Sequence, residues 1–285
     1  PTAFEGWWYE GGGIYRHVWL VKTEPLHVAP QGLFVTTPRL SARQGTVVVS
    51  MDVMNDGPVR QDADVVAAIL DADGRAVVEV AKSALVPADA AVTISRRLCV
   101  PSPRRWSLED PYLYTLCAEL RVAGRVLDRV TTPFGMRAIR FTPDRGFFLN
   151  GKRVVLKGMC AHQDFAGVGV ALPDRLHEYK IERLKAMGCN AYRCSHHPPA
   201  PELLDACDRL GMLVMDENRQ LASTPDGLDN IRRLVLRDRN HPSVIMWSME
   251  NEEPIAGTPR GTRILATLAR LTRRLDPTRP VATAT

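Results

Sequence analysis

A group of polar and acidic residues follows an apolar run near the end of the sequence. The run extends from Ser243 to Met249, and the sequence Glu-Asn-Glu-Glu follows it at residues 250–253. A continuous apolar run that ends at polar groups is typical of a buried strand in a parallel sheet. Enzymes with α/β barrels build their active sites at the carboxyl ends of such strands. At that position Glu252 could donate a proton, and Asn251 could bind a substrate hydroxyl.

Three other apolar runs in the second half of the chain are also followed by titratable residues. Parallel strands end at the same edge of a sheet, so these residues would lie close to Asn251 and Glu252. Titratable groups that converge at one edge are what a catalytic pocket requires. Asp216 and Glu217 are interpreted either as site residues or as braces of the sheet edge. The residues that follow the three runs are His162, Gln163 and Asp164, then Arg193, His196 and His197, then Asp216, Glu217 and Asn218.

From Phe141 onward, predicted strands alternate with predicted helices. Regular alternation of this kind is typical of a parallel sheet with crossover helices. A complete (β/α)8 TIM barrel needs about 250 residues, whereas residues 140–285 number only about 145. The sequence therefore predicts the N-terminal half of a TIM barrel over residues 140–285, and we expect the parent chain to continue. The predicted strands are Val154–Lys157, Cys189–Arg193, Met212–Met215, Ser243–Met249 and Pro280–Thr285, with helices that begin near Pro173, Pro201, Leu228 and Thr262.

The first half of the sequence is predicted to be β structure. Residues 29–139 contain seven short apolar runs with turn-forming residues between them, a pattern typical of an immunoglobulin-like β-sandwich. Residues 1–28 are rich in Trp and Gly, and the segment from Ile14 to Val21 alternates in polarity as a strand does. Because a single strand is not stable alone, we interpret residues 1–28 as the tail of a preceding β domain. The chain is thus predicted to be multidomain.

The composition favours a globular protein that binds neither nucleic acid nor a membrane. Apolar residues make up 45% of the 285 residues and charged residues 24%. The net charge of +5 comes from Arg residues spread along the chain, whereas nucleic-acid-binding proteins concentrate Lys and Arg in a patch. No apolar run reaches the roughly 18 residues of a membrane-spanning helix. The six cysteines lack metal-site spacing, so we expect buried free thiols that pack as small apolar side chains, and the compartment is not indicated.

Two long segments resemble the signatures of the family 2 glycoside hydrolases. The first comprises Asn-Ala-Tyr-Arg-Cys-Ser-His-His-Pro at residues 190–198 and Gly-Met-Leu-Val-Met-Asp-Glu at residues 211–217. The second extends from Asp238 to Glu252. Gly-Ile-Tyr-Arg at residues 13–16 resembles the last strand of the family's sugar-binding domain. The resemblance implies that residues 1–28 end a jelly-roll-like sugar-binding domain, and within the family the sequence is most similar to the β-galactosidases.

This resemblance implies a retaining exo-β-glycosidase that uses double displacement. Such enzymes use an acid/base and a nucleophile, two carboxyl groups that lie about 5–5.5 Å apart. The resemblance places Glu252 as the acid/base, a role that favours a partly apolar environment, which we expect Trp247 to provide. It places Asn251 on the sugar 2-hydroxyl. The other residues that it assigns to the sugar site are His162, Arg193, His196 and Asn218.

The nucleophile of the family follows a later strand of the barrel. On that basis we expect it to lie beyond the C-terminus, and we expect these 285 residues alone to be inactive. Two residues depart from the family pattern. Glu250 stands where the family has Gly, and His17 stands where β-galactosidases have an Asp that helps to bind a monovalent cation and the sugar.

The substrate is predicted to be a small-molecule or oligosaccharide β-glycoside. A terminal β-D-galactoside is the first choice, and β-glucuronidase and β-mannosidase are alternatives within the family. A non-catalytic carbohydrate-binding or assembly module is the alternative from another class. No cofactor or metal ligand is assigned, although magnesium or a monovalent cation is left open. The resemblance also leaves open a homo-oligomer of the full-length parent.

Overall fold

The computed structural model describes residues 12–284, with side chains up to residue 283. The chain divides into two compact units. Among the described residues, one comprises residues 12–19, 155–239 and 243–284, and the other comprises residues 20–154 and 240–242. The Trp- and Gly-rich residues 6–11 lie outside the described part. The domain boundaries predicted after residues 28 and 139 stay predictions.

The unit that contains residues 20–154 includes a seven-stranded β-sandwich. One sheet has the order β1-β2-β5 and the other the order β4-β3-β6-β7, and every pairing is antiparallel. The predicted β-sandwich is therefore confirmed. The strands are β1 Leu26–Leu40, β2 Gln44–Asn55, β3 Gln61–Leu70, β4 Ala76–Val86, β5 Ala90–Pro101, β6 Tyr114–Val122 and β7 Arg125–Phe134.

The core of the sandwich follows from alternating polarity along its strands. In β2, Val47, Val49, Met51 and Val53 are fully buried, while the residues between them are half-buried. Successive side chains of a strand point to opposite faces, so this alternation turns one face of the strand toward the core. Three short strands follow the sandwich and form a separate antiparallel sheet, β8 Ile139–Thr142, β9 Gly146–Leu149 and β10 Lys152–Arg153.

The other unit contains a parallel sheet with crossover helices. Its five strands have the order β11-β12-β13-β14-β15, and all four pairings are parallel. Among the described residues the sheet is open and not a closed barrel, which agrees with the predicted partial TIM barrel. The strands are β11 Gly158–Ala161, β12 Ala191–Cys194, β13 Leu213–Glu217, β14 Val244–Asn251 and β15 Val281–Ala284. The helices are α1 Asp174–Ala186, α2 Pro201–Leu210, α3 Pro225–Asp238 and α4 Pro259–Leu275.

The first parallel strand lies four residues later than predicted. The apolar residues Val155 and Leu156 are 59% and 42% exposed, and they precede the strand. Pairing with β12 begins only at Gly158, which lies opposite Ala191. Since β11 has one neighbouring strand among those described, its residues are less buried than those of the inner strands, and Met159 is 43% exposed. Apolar character therefore did not mark this strand.

Other features of the chain match the composition. No helix of the described part is long and apolar enough to cross a bilayer. All six cysteines are free, but only Cys194 and Cys207 are buried, so the expectation of buried thiols is wrong for the other four. Helices α3 and α4 begin at threonine caps, where the hydroxyls of Thr224 and Thr258 accept the backbone N–H groups of Gly227 and Gly261.

The N-terminus of α4 lies directly against the turn that follows β14. A Cβ atom built on Gly261 would lie only 1.9 Å from the carbonyl oxygen of Ile255. No side chain fits at this distance, so the helix or the turn would have to move. By contrast, a Cβ atom on Gly257 would contact nothing within 4 Å.

We predict that Gly261→Ala destabilises the protein by about 1–3 kcal/mol, the range for an atom forced into a packed site. Gly257→Ala is the matched control and should change the free energy of unfolding by no more than about 0.5 kcal/mol. Urea denaturation measures both. Equal stabilities for the two variants would show that the turn and α4 are not in close contact.

Candidate active site

Two adjacent acidic residues at the end of β13 lie on opposite faces of the parallel sheet. Asp216 lies opposite Trp247 in β14, and Glu217 lies opposite Ser248. Trp247 belongs to the core between the sheet and the helices, with Leu234 and Leu268. Asp216 is therefore on the helix-facing side, and Glu217 is on the other side. Both carboxylates are fully buried.

Glu217 is the centre of a hydrogen-bonded network. Its Oε2 atom accepts Arg193 Nε at 2.8 Å and Arg193 Nη2 at 2.7 Å. Its Oε1 atom lies 2.5 Å from Nδ1 of His196. Burial lowers the pKa of Arg193, but the charge and hydrogen bonds of Glu217 outweigh it and raise that pKa above its usual value. Glu217 thus fixes the positions of Arg193 and His196, two predicted site residues. It does so from β13, which lies between β12 and β14 in the sheet.

Arg193 joins this network to the end of β14. Its Nη2 atom donates to Oδ1 of Asn251 at 2.6 Å. Arg193 occupies the oxygen of the Asn251 carboxamide, so the N–H groups of that carboxamide are the ones free to face a ligand. An N–H donor is what binding a hydroxyl oxygen requires. Three of the predicted site residues, Arg193, His196 and Asn251, are therefore brought together.

Glu252 lies immediately after this network and is exposed. Its backbone has φ +50°, the left-handed region that side chains other than glycine rarely adopt. Arg219 holds the turn from one side, because its Nη1 atom donates to the carbonyl oxygen of Asn251 at 3.1 Å and pairs with Glu253. The turn therefore presents an accessible carboxyl group on a fixed backbone.

His162 and Asn218 are placed differently from each other. His162 donates from Nδ1 to the carbonyl oxygen of Ser195 at 2.7 Å, and its ring lies 5.7 Å from that of His196. His162 therefore lies beside the network that joins Glu217, Arg193 and His196. The side-chain nitrogen of Asn218 donates to the carbonyl oxygens of Gln220 and Met249, at 2.7 and 3.0 Å. Asn218 thus braces the backbone, and its predicted contact with substrate stays a prediction.

Trp247 does not lie beside Glu252 as expected. It is fully buried on the helix-facing side of β14, and its indole N–H donates to Asp276 at 2.9 Å. The expectation failed because residues 247 and 252 were treated as neighbours in sequence, whereas the face of the strand decides which side chains meet.

Glu217 braces the sheet edge, one of the two roles that the sequence leaves open for it. Arg219 also supports the site, although it is not among the residues that the sequence predicts there. The signal for Glu217 was present, since Arg193, Met215 and Glu217 occupy one face by the two-residue period of the strands. No comparable signal existed for Arg219, which lies in a loop.

One cluster near the N-terminal segment contains metal-ligating residue types. His17 Nε2 lies 2.9 Å from Asp174 and 3.8 Å from Glu202. The hydrogen bond with Asp174 raises the pKa of His17. Magnesium prefers an all-oxygen shell, so the imidazole makes this cluster a poor magnesium site, and the magnesium or monovalent cation that the sequence leaves open stays a prediction. We derive no catalytic step through a metal.

Asp216 faces a second acidic residue inside the helix-facing core. Neither of its oxygens has a hydrogen-bond partner with both groups ionised, among the described residues. Burial, together with the neighbouring Asp238, raises the pKa of Asp216 well above its usual value. Asp238 itself accepts two hydrogen bonds from Arg237, both at 2.6 Å. With a proton on Asp216, its carboxyl group can donate a hydrogen bond to Asp238.

Family comparisons match both halves of the chain. The model of the glycosyl hydrolases family 2 matches residues 27–137. The model of the glycosyl hydrolases family 2 TIM barrel domain matches residues 141–224 and 222–284. Together these matches include nearly all of the described residues.

Similar proteins include glycosidases of two specificities. The chain is 40% identical over 257 residues to beta-galactosidase BoGH2A of Bacteroides ovatus, covering 86% of this chain and 30% of that protein. It is 30% identical to a beta-glucuronidase of Bacteroides fragilis, covering 96% of this chain and 42% of that protein. The chain thus spans well under half the length of these relatives.

Solved structures of family 2 proteins superpose on nearly the whole chain. A glycosyl hydrolase family 2 member from Bacteroides cellulosilyticus DSM 14838 superposes with a TM-score of 0.93 at 40% identity, over 97% of this chain and 39% of that chain. A beta-glucuronidase of Bacteroides uniformis superposes with a TM-score of 0.85 at 31% identity, over 95% of this chain and 36% of that chain.

We predict that Asp216→Asn makes the protein less sensitive to rising pH. Because the folded pKa is raised, the unfolded state loses its proton first as pH rises above about 3.9. Stability then falls with pH, by up to about 1.4 kcal/mol per pH unit, until the folded pKa is reached. Asparagine can donate to Asp238 but does not titrate.

Urea denaturation from pH 4 to 7 tests this prediction. The stability of Asp216→Asn relative to the unmodified protein should increase with pH over that range. The control Asp144→Asn removes an exposed carboxylate, and its relative stability should stay constant. A constant difference for Asp216→Asn would mean that Asp216 is ionised in the folded state.

Proposed function

The chain belongs to the glycosyl hydrolases of family 2, and from this membership we propose that it contributes the acid/base side of a retaining β-glycosidase site. The observation that supports this most directly is the link from Glu217 through Arg193 to Asn251, next to the exposed Glu252. Buried and mutually bonded side chains hold a donor and an accessible carboxyl group at one sheet edge.

Glu252 is proposed to act twice in the reaction. In the first step its proton goes to the glycosidic oxygen, the bond from that oxygen to the anomeric carbon breaks, and a carboxylate nucleophile bonds to the anomeric carbon. In the second step the Glu252 carboxylate takes a proton from water, whose oxygen displaces the nucleophile. The sugar leaves with its original anomeric configuration.

The three acidic neighbours of Glu252 are poor candidates for the nucleophile. Glu217 is fully buried and bonded to Arg193 and His196. Glu253 pairs with Arg219, and Glu250 is fully buried and hydrogen-bonded. A nucleophile must reach the anomeric carbon, so we assign this role to no residue among those described.

Asn251 is proposed to bind the sugar 2-hydroxyl. Arg193 holds its oxygen, so an amide N–H group is turned toward the ligand. Hydrogen bonds to the 2-hydroxyl strengthen in the transition state of glycoside hydrolysis. His162, His196 and Arg193 are proposed to line the same sugar site, with Asn218 nearby.

A terminal β-D-galactoside is our first candidate for the substrate. The relative named as a beta-galactosidase shares 40% identity with this chain. A β-glucuronide is the second candidate, because the relative of that name from Bacteroides fragilis and the beta-glucuronidase structure share 30% and 31% identity with it. The two sugars differ at C4 and C6, so one assay with a common leaving group separates them.

We predict that Glu252→Gln slows hydrolysis more for glycosides whose leaving group is more basic, because such leaving groups depart only when protonated. In the full-length protein, the rate of aglycone release from an alkyl or phenyl glycoside should fall by about 10²–10⁴-fold, the usual contribution of general acid catalysis. Glycosylation by a dinitrophenyl glycoside should change little, because its leaving group is stable as an anion. Azide should restore turnover of the dinitrophenyl glycoside, because this anion can replace water in the second step without a base to remove a proton.

The control for this experiment is Glu182→Gln, which removes a surface carboxylate paired with Arg175. It should leave both substrates unaffected. Equal losses for both leaving groups in Glu252→Gln, or no loss, would contradict the acid/base role.

We predict that the full-length protein hydrolyses p-nitrophenyl β-D-galactoside with at least about tenfold higher kcat/KM than the matching glucuronide, a difference of about 1.4 kcal/mol in transition-state binding. A preference for the glucuronide would move the assignment to the second candidate. Sugar binding by a folded protein that hydrolyses neither glycoside would indicate a carbohydrate-binding module.

A further inference from the structure

Glu250 is a fully buried carboxylate that precedes the two residues of the proposed site in sequence. It is the second-last residue of β14, directly before Asn251 and Glu252. We propose that Glu250 is a positioning residue that holds the turn at residues 251–253 in the shape that presents Glu252. This inference rests on the proposed acid/base function of Glu252.

The carboxylate of Glu250 joins two parts of the sheet edge. Its Oε2 atom accepts the backbone N–H of Glu253 at 3.0 Å. Its Oε1 atom accepts the hydroxyl of Thr283, in β15. The turn after β14 is therefore tied to the neighbouring strand through one side chain, and both oxygens of this side chain are used.

The bond from Glu250 to Glu253 spans Asn251 and Glu252. A side chain that accepts the N–H three residues later closes the same kind of ring as a helix cap. Within that ring Glu252 has φ +50°, a conformation that persists in a residue other than glycine only when its surroundings enforce it. Glu250 is one of those surroundings.

Arg219 holds the same turn from another direction. It donates to the carbonyl oxygen of Asn251 and pairs with the side chain of Glu253. Glu250 instead binds the N–H of Glu253. The carbonyl oxygen of Asn251 therefore has a donor, and the N–H of Glu253 has an acceptor. Glu252 lies between these two backbone groups.

Burial makes this role demanding for Glu250. A buried carboxylate is costly unless hydrogen bonds replace its hydration. Both of its oxygens have such bonds, so the arrangement is stable only while the turn keeps its shape. The shape that satisfies Glu250 is the one that leaves the Glu252 carboxyl group exposed.

Two substitutions separate hydrogen bonding from charge. Glu250→Gln keeps an oxygen for the N–H of Glu253, and its amide nitrogen can donate to the Thr283 hydroxyl. Glu250→Ala loses both bonds. Both variants are made in the full-length protein, and each is assayed with an alkyl and a dinitrophenyl glycoside of the preferred sugar.

We expect Glu250→Ala to lower kcat for the alkyl glycoside by about 10–100-fold, because small misplacements of catalytic groups have effects of this size. Its glycosylation rate with the dinitrophenyl glycoside should change by less than about threefold. Glu250→Gln should stay within about threefold of the unmodified protein on both substrates, since proton transfer by Glu252 depends on position. If Glu250 had a purely structural role, Glu250→Ala would lower the rates with both glycosides by the same factor.

Thr283→Val provides a second test, in case Glu250→Ala does not fold. It removes one of the two bonds and should lower kcat for the alkyl glycoside by about 3–10-fold, a smaller misplacement by the same reasoning. An unchanged alkyl rate in Glu250→Ala, or equal losses on both glycosides, would overturn the proposal. If Glu250→Ala is not folded, the same two outcomes in Thr283→Val overturn it.

Glu252→Gln in the same assay separates this proposal from the proposed function. A loss that depends on the leaving group in Glu252→Gln but not in Glu250→Ala rejects only the role of Glu250. A loss that is independent of the leaving group in Glu252→Gln rejects the acid/base assignment itself.

Discussion

The burial of the Glu217 carboxylate is the constraint on which the candidate site depends. A charge with no exposed surface must be paired and hydrogen-bonded, and Glu217 meets this condition with Arg193 on one oxygen and His196 on the other. Arg193 is then held in position to reach Asn251. The ends of β12, β13 and β14 are thereby joined by side chains as well as by backbone pairing. Because removing either partner would leave one oxygen of a buried carboxylate without its hydrogen bond, the geometry around Asn251 is specified far more strongly than a surface contact could specify it.

The two-residue period of the strands assigns different tasks to adjacent acids. Asp216 and Glu217 are neighbours in sequence and are equally buried, yet they face different surroundings. Glu217 meets cations and is held as their partner. Asp216 is buried beside another acid, Asp238, and burial together with that neighbour raises its pKa. A carboxyl group with a proton can donate a hydrogen bond inside a core, whereas an ionised one requires donors around it. One strand therefore builds a site on one face and a proton-dependent contact in the core on the other.

Much of the fold, and part of the site, could be predicted from the sequence. The long apolar run of β14 and its polar end marked the sheet edge correctly, because an inner strand is buried on both faces. The edge strand β11 lacked that burial and was misplaced. Arg193, His196 and Asn251 do meet, as the shared edge of a parallel sheet requires. The sequence leaves the roles of Asp216 and Glu217 open, because residue type alone does not reveal the face of a strand. Trp247 was misjudged for the same reason, and Asn218 is bonded to backbone carbonyls that sequence patterns do not locate.

The site combines buried supports with one exposed acid, and the chemistry explains why both are needed. An acid/base must meet a substrate oxygen and later a water molecule, so Glu252 has to be accessible. Accessible turns are the least constrained parts of a protein, but catalysis requires fixed geometry. Here the turn gains its rigidity from neighbours on either side of Glu252. Arg219 holds the carbonyl oxygen of Asn251, and Glu250 holds the N–H of Glu253. Glu252 can therefore be exposed without being mobile, because the bonds that define its backbone are made by side chains other than its own.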